Sequence, residues 1–122
     1  MNWNITADRP VYLQLIEQLE RAVVAKEYPA GGKVPSVREL AADAAVNPNT
    51  MQRALQELEA RGLVVTQRTA GRSITQDVEK IAALRAQLAA QQTTAFLQSM
   101  RSLGYTKQES VALLQTTEEE AT

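Results

Sequence analysis

The chain has 122 residues, enough for one small domain with an extension, and a formal net charge of −1 at pH 7. Cysteine and histidine are both absent, which excludes disulfides, Cys/His zinc centres and Ser–His or Cys–His nucleophile pairs. With no signal-peptide pattern at its start, no apolar run of membrane-spanning length and no EF-hand spacing, the sequence implies a soluble cytoplasmic protein without metal or cofactor, whose contacts with nucleic acid come from a local patch.

Residues 1–8 read as extended or irregular. In "PVYLQLIEQLERAVVAK" the apolar residues Tyr12, Leu15, Ile16, Leu19 and Val23 recur at three- and four-residue steps. That spacing predicts an amphipathic helix with Pro10 in its first turn. "YPAGGK" breaks the pattern as a turn does. In "PSVRELAADAA", Ser36 and Glu39 have the spacing of a capping box, and Val37, Leu40, Ala41 and Ala44 form the inward stripe of a short helix. Ala45 and Val46 make a tight turn.

"VNPNTMQRAL" then opens a third helix, with Asn47 as N-cap and Pro48 at the first helical position. Met51, Ala54, Leu55 and Leu58 face inward, and Gly62 is placed as a left-handed terminator. "LVVTQRTAGRSIT" is rich in β-branched residues and reads as two short strands with a turn at Ala70–Gly71. Asp77 caps a long helix whose apolar positions include Ile81, Leu84, Leu88, Ala95, Met100 and Leu103. Gly104 ends it. Thr106 and Glu109 form a second capping box before a final helix carrying Val111 and Leu114, and "TTEEEAT" reads as a frayed tail.

The expected fold is mainly α: a winged helix-turn-helix domain of three helices plus a β-hairpin wing over residues 1–76, then a two-helix dimerisation extension over residues 77–122. In such a motif the second of the paired helices enters the DNA major groove. Its N-terminus offers free backbone N–H groups and a positive dipole end to phosphate. Asn49, Thr50, Gln52 and Arg53 supply donors and acceptors there, Asn and Gln suited to adenine and Arg to guanine. Gln56 lies one turn further on. Structural roles compete with each of these. Ser36, Glu39 and Asn47 are caps, Gln52 and Arg53 could cover an exposed helix face, and Arg38, Arg68 and Arg72 could be ordinary solvated charges.

The stretch "KVPSVRELAADAAVNPNTMQRALQELEARGLVV" resembles the DNA-binding domain of GntR-family bacterial transcription regulators. The preceding "RPVYLQLIEQL" and the short extension resemble the small YtrA-type branch. The domain resemblance covers about residues 10–75. It implies DNA contacts at Arg38 in the P-S-x-R block, at the start of the recognition helix, and at the wing between Arg68 and Arg72. The candidate DNA-binding set is therefore Ser36, Arg38, Asn47, Asn49, Thr50, Gln52, Arg53, Arg68, Thr69, Gly71 and Arg72. Two positions depart from the family pattern: Gln52 stands where many members carry Arg, and Thr69 replaces the first of two wing glycines.

Residues 1–76 hold nine Lys and Arg against eight Asp and Glu, and residues 77–122 hold four against six. The extension is thus not the DNA-binding part. Its stripe of Ile81, Leu84, Leu88, Met100 and Leu103 would be exposed in a monomer, which points to a homodimer. The expected partners are a double-stranded DNA operator and a second copy of the chain. An unidentified small-molecule effector stays open, although two helices are short for enclosing a metabolite pocket. The expected function is a repressor binding an inverted repeat. The alternative is a winged-helix protein-interaction module without DNA binding. An enzyme is the remotest reading, because no nucleophile–base pair or catalytic carboxylate cluster is visible.

Overall fold

In the computed structural model, which describes residues 1–119, the apolar stripes of the first three helices meet in one core. The elements are α1 (Val11–Val24), α2 (Val37–Ala44), α3 (Pro48–Ala60), β1 (Val64–Gln67), β2 (Gly71–Ile74), α4 (Val78–Ser102) and α5 (Lys107–Thr116). This is the expected mainly helical winged architecture. Leu15, Ile16, Leu19 and Val23 of α1 meet Leu40, Ala41 and Ala44 of α2 and Met51, Ala54, Leu55 and Leu58 of α3. Val34, Leu63, Val64 and Ile74 close the cluster beneath the hairpin. Two units are distinguishable: Met1–Arg85, and the residues from Ala86 onward.

The helix ends form where the polar residues allow. The Glu39 amide donates to Ser36 Oγ (3.1 Å) and the Ser36 amide donates to Glu39 Oε1 (3.5 Å), completing the predicted capping box. Ala45 then adopts the left-handed conformation (φ 56°, ψ 47°), and the Val46 amide bonds back to the Ala41 carbonyl at 3.0 Å. This tight turn sends the chain into α3. There the Asn49 amide donates to Asn47 Oδ1 at 2.8 Å, and Pro48 occupies the first helical position. Gly62 has φ +78° as expected of a terminator, and a Cβ at that position would lie 2.6 Å from Lys80 Nζ.

Pro10 stands one position earlier than expected, at the N-cap of α1 with φ −52° and ψ 131°. The extended segment before it is fastened antiparallel to α1 by two glutamines. Gln18 exchanges hydrogen bonds with the Asn4 backbone (2.9 and 2.8 Å), and Gln14 does the same with Thr6 (2.8 and 2.8 Å). Two residues of extended chain advance about 6.6 Å and four residues of helix about 6 Å, so each side-chain amide replaces a missing strand partner in register. Met1, Trp3 and Ile5, on the alternate positions, pack against the core.

β1 and β2 pair antiparallel with Val64 opposite Ile74 and Gln67 opposite Gly71. The wing turn is consequently Arg68–Ala70, one step earlier than the sequence suggests, and Gly71 (φ +75°) opens β2 instead of ending the turn. The "YPAGGK" segment is also more than a turn. Lys33 bridges Ser73, the Val34 amide bonds to Arg72 O (2.9 Å), and the Ile74 amide bonds to Gly32 O (2.8 Å). This bonding gives the hairpin a third edge, for which a four-residue Gly-containing stretch carries no alternation signal.

In α4, Asp77 Oδ1 accepts from the Lys80 amide at 3.1 Å, and Ile81 and Leu84 pack against the first unit's core. In the second unit the Thr106–Glu109 capping box forms as expected, with bonds of 2.9 and 3.1 Å. Ser110 is buried there, while Leu103, Tyr105, Val111, Leu113 and Leu114 are exposed. Residues 120–122 of the predicted tail lie outside the described residues.

Candidate nucleic-acid interface

The α2–turn–α3 segment presents the start of α3 to solvent. Asn47, Asn49 and Arg53 are exposed, Thr50 and Gln52 half-buried. The apolar stripe of Met51, Ala54, Leu55 and Leu58 fixes α3 against the core, so these polar side chains lie off that stripe. Arg38, at the second position of α2, is exposed, as are Arg68 and Thr69 at the wing tip. Among the described residues neither Arg38 nor Arg68 enters an ion pair. A groove between the start of α2 and the wing brings together Lys33, Ser36, Thr66, Thr69, Gly71 and Arg72, which are far apart in sequence.

Besides the capping residues Ser36 and Asn47, two of the expected contact arginines are engaged within the protein. Arg72 Nε donates to Glu59 Oε1 on α3, and the Arg72 side chain is only 18% exposed. Burial pushes the Glu59 carboxyl up, but hydrogen bonds from Arg72 and Thr66 outweigh it and hold the group below the usual carboxylate range. Glu59 thus ties both strands of the wing to the recognition helix. Arg53 places its guanidinium over the Tyr12 ring of α1, 3.6 Å from the centroid.

The neighbouring acid is claimed elsewhere. Arg61 bonds Glu57 at 3.0 Å and reaches Glu20 on α1 at 3.2 Å. Burial raises the Glu20 carboxyl, and the attraction of Arg61 only partly offsets it.

Of the expected dimerisation residues, Ile81 and Leu84 are half-buried on the first unit's own core, Leu88 and Met100 are half-buried, and Leu103 is 71% exposed. Among the described residues no group of three or more His, Cys, Asp or Glu is placed to hold a metal, and no helix is long and apolar enough to cross a membrane. Sequence patterning gives Tyr12, Lys33 and Glu59 no functional role. Tyr12 has the spacing of a core residue, and only the crossing of α1 over α3 brings its ring beneath Arg53.

A core-fixed helix-turn-helix with a polar second-helix N-terminus, and a hairpin clasped to that same helix, defines a winged helix-turn-helix DNA-binding domain. Residues 11–74 match the bacterial regulatory proteins of the gntR family, and the chain belongs to that family of transcription regulators, which are not enzymes. It is 38% identical over 109 residues, covering 89% of this chain and 90% of the relative, to the uncharacterized HTH-type transcriptional regulator YhcF of Bacillus subtilis. Over 70 residues it is 39% identical to the HTH-type transcriptional repressor YtrA of the same organism, covering 57% of this chain and 54% of that one. A solved GntR-family transcriptional regulator from Listeria monocytogenes is similar along 93% of this chain and 100% of its own, with TM-score 0.84 and 36% identity.

Proposed function

We propose that this regulator is a cytoplasmic repressor that binds an inverted-repeat operator as a homodimer. Residues 1–76 serve as the DNA-binding module and the helices after residue 77 as the dimerisation region. The observation that carries this reading is the polar set at the start of α3, flanked by Arg38 and Arg68, which enter no ion pair among the described residues.

In the proposed complex the start of α3 enters the major groove. Asn49, Gln52 and Arg53 address base edges there, while Asn47, Thr50 and the first amides of α3 approach phosphate. Ser36 and Arg38 take a phosphate beside α2, and Arg68 and Thr69 take the backbone at the wing. Gly71 opens β2 in the left-handed conformation directly after the wing turn, and Arg72 holds the wing through Glu59. The repressive mode is supported by the printed role of the YtrA relative.

Dimerisation is supported by the second unit, where Leu103, Tyr105, Val111, Leu113 and Leu114 leave apolar surface in water. One helix-turn-helix reads a single half-site, so a two-fold dimer demands half-site centres one helical turn (~34 Å) or a multiple of it apart.

Footprinting the DNA upstream of the protein's own gene, followed by titration across salt concentrations, tests the reading. The expected result is a protected inverted repeat with a steep negative log–log salt slope. A flat salt response without a protected repeat would refute it.

A further inference from the structure

We infer that Tyr12 is a positioning residue for base recognition: its ring is the platform that holds the Arg53 guanidinium in its reading orientation. The inference rests on the assignment of Arg53 to base contact made above. A guanidinium offers two separate interaction surfaces, its flat faces to an aromatic ring and its in-plane N–H groups to acceptors. At 3.6 Å from the Tyr12 centroid the face is engaged and the edge donors stay available. A free arginine loses considerable rotamer entropy on docking to a guanine edge. One already stacked loses less.

The surroundings show that the stack is built into the fold. The competing partner for Arg53 is Glu57, one turn further along α3, but Arg61 holds that carboxylate at 3.0 Å while also reaching Glu20 at 3.2 Å. Among the described residues Arg53 has no ion pair, and its guanidinium rests on the Tyr12 ring. The platform itself is fixed. Tyr12 packs against the core in the first turn of α1, and that turn is fastened by Gln14 to the Thr6 and Arg9 carbonyls at 2.8 and 2.9 Å. Arg9 grips Glu17 through two bonds of 2.8 and 2.9 Å. Specificity at one base pair is thereby controlled from α1, outside the helix-turn-helix.

The test compares Tyr12→Leu, Tyr12→Phe and Arg53→Ala in the full-length protein, by selection from randomised operator DNA and by titration on the preferred site. Tyr12→Leu should relax preference at the same base pair as Arg53→Ala and weaken the preferred site about two- to fivefold. Tyr12→Phe, which retains the ring face, should restore both. In the Arg53→Ala background, Tyr12→Leu should have no further effect on preference. An Arg53→Ala effect on preference that Tyr12→Leu does not share would overturn the platform while leaving Arg53 as a base reader. No change of preference for Arg53→Ala would remove both assignments. Uniform weakening on all sequences by Tyr12→Leu, tracking a lower melting temperature, would reduce Tyr12 to a packing residue.

Discussion

Arg72 and Arg68 sit four residues apart on the wing, and their surroundings predict different consequences for their removal. The Arg72–Glu59 pair has side chains 18% and 29% exposed. It therefore lies between exposed ion pairs, worth about 0.2–1 kcal/mol, and buried ones, whose rupture costs about 3–5 kcal/mol. Arg72→Ala is expected to destabilise the first unit by about 1–2 kcal/mol, read as a lower urea midpoint at unchanged slope. Because Glu59 neutralises it, Arg72 adds little net charge for phosphate, and its loss should leave the salt dependence of DNA binding nearly unchanged. Arg68 has no such partner among the described residues. Arg68→Ala should preserve stability and flatten the salt slope by about 0.9 per subunit. Glu59→Gln frees the Arg72 charge, so it should destabilise the fold yet strengthen binding to unrelated DNA. If Arg72→Ala flattens the slope as Arg68→Ala does and costs no stability, the clasp opens on DNA and the reasoning fails.

Three other outcomes follow from the same geometry. Asn47→Ala removes the acceptor for the Asn49 amide and should cost about 1 kcal/mol in urea unfolding; an unchanged midpoint would show that water replaces the cap without loss. Leu103→Glu with Leu114→Glu places charges at side chains 71% and 58% exposed, so sedimentation should report well-folded monomers; a persistent dimer would move the interface elsewhere. Glu20 is buried with its carboxyl raised chiefly by desolvation, so its charged form opposes folding at neutral pH and its protonated form does not. Glu20→Gln should therefore be at least as stable as the wild type at pH 7, and the difference should shrink as pH falls through the raised value toward the ordinary glutamate range, where it vanishes; a growing advantage at low pH would reverse the sign.

Helix positions were legible because they depend on short-range rules. Ser36 with Glu39, Asn47 with Pro48, and Thr106 with Glu109 mark helix starts through bonds that span three residues or fewer. The stripe of Met51, Ala54, Leu55 and Leu58 likewise declares its buried face. What stayed hidden depends on tertiary crossings. Arg53 meets Tyr12 from 41 positions away, and no local pattern distinguishes that arginine from one reaching freely into solvent. Arg72 finds Glu59 across 13 residues because the hairpin folds back over α3. Ile81 and Leu84 share the helical stripe of Leu88 in sequence, yet they pack on the first unit's core.

These pairings also explain how a chain with net charge −1 presents cations to DNA. In the first unit, Arg9 is held by Glu17, Arg61 by Glu20 and Glu57, and Arg72 by Glu59. Those pairs engage four carboxylates along α1 and α3, and Glu39 is occupied at the backbone of Ser36. Arg38, Arg53 and Arg68 remain without a carboxylate partner among the described residues, and each stands on or beside the helix-turn-helix and wing. Screening at physiological ionic strength confines fields to about 8 Å, so an approaching phosphate responds to these neighbours far more than to the net charge. The acidic excess lies from residue 77 onward, where four Lys and Arg face six Asp and Glu. By pairing Arg9, Arg61 and Arg72 internally, a chain of low isoelectric point leaves a local basic face on the helix-turn-helix and wing, and the proposed DNA contacts fall on the arginines that those pairs leave out.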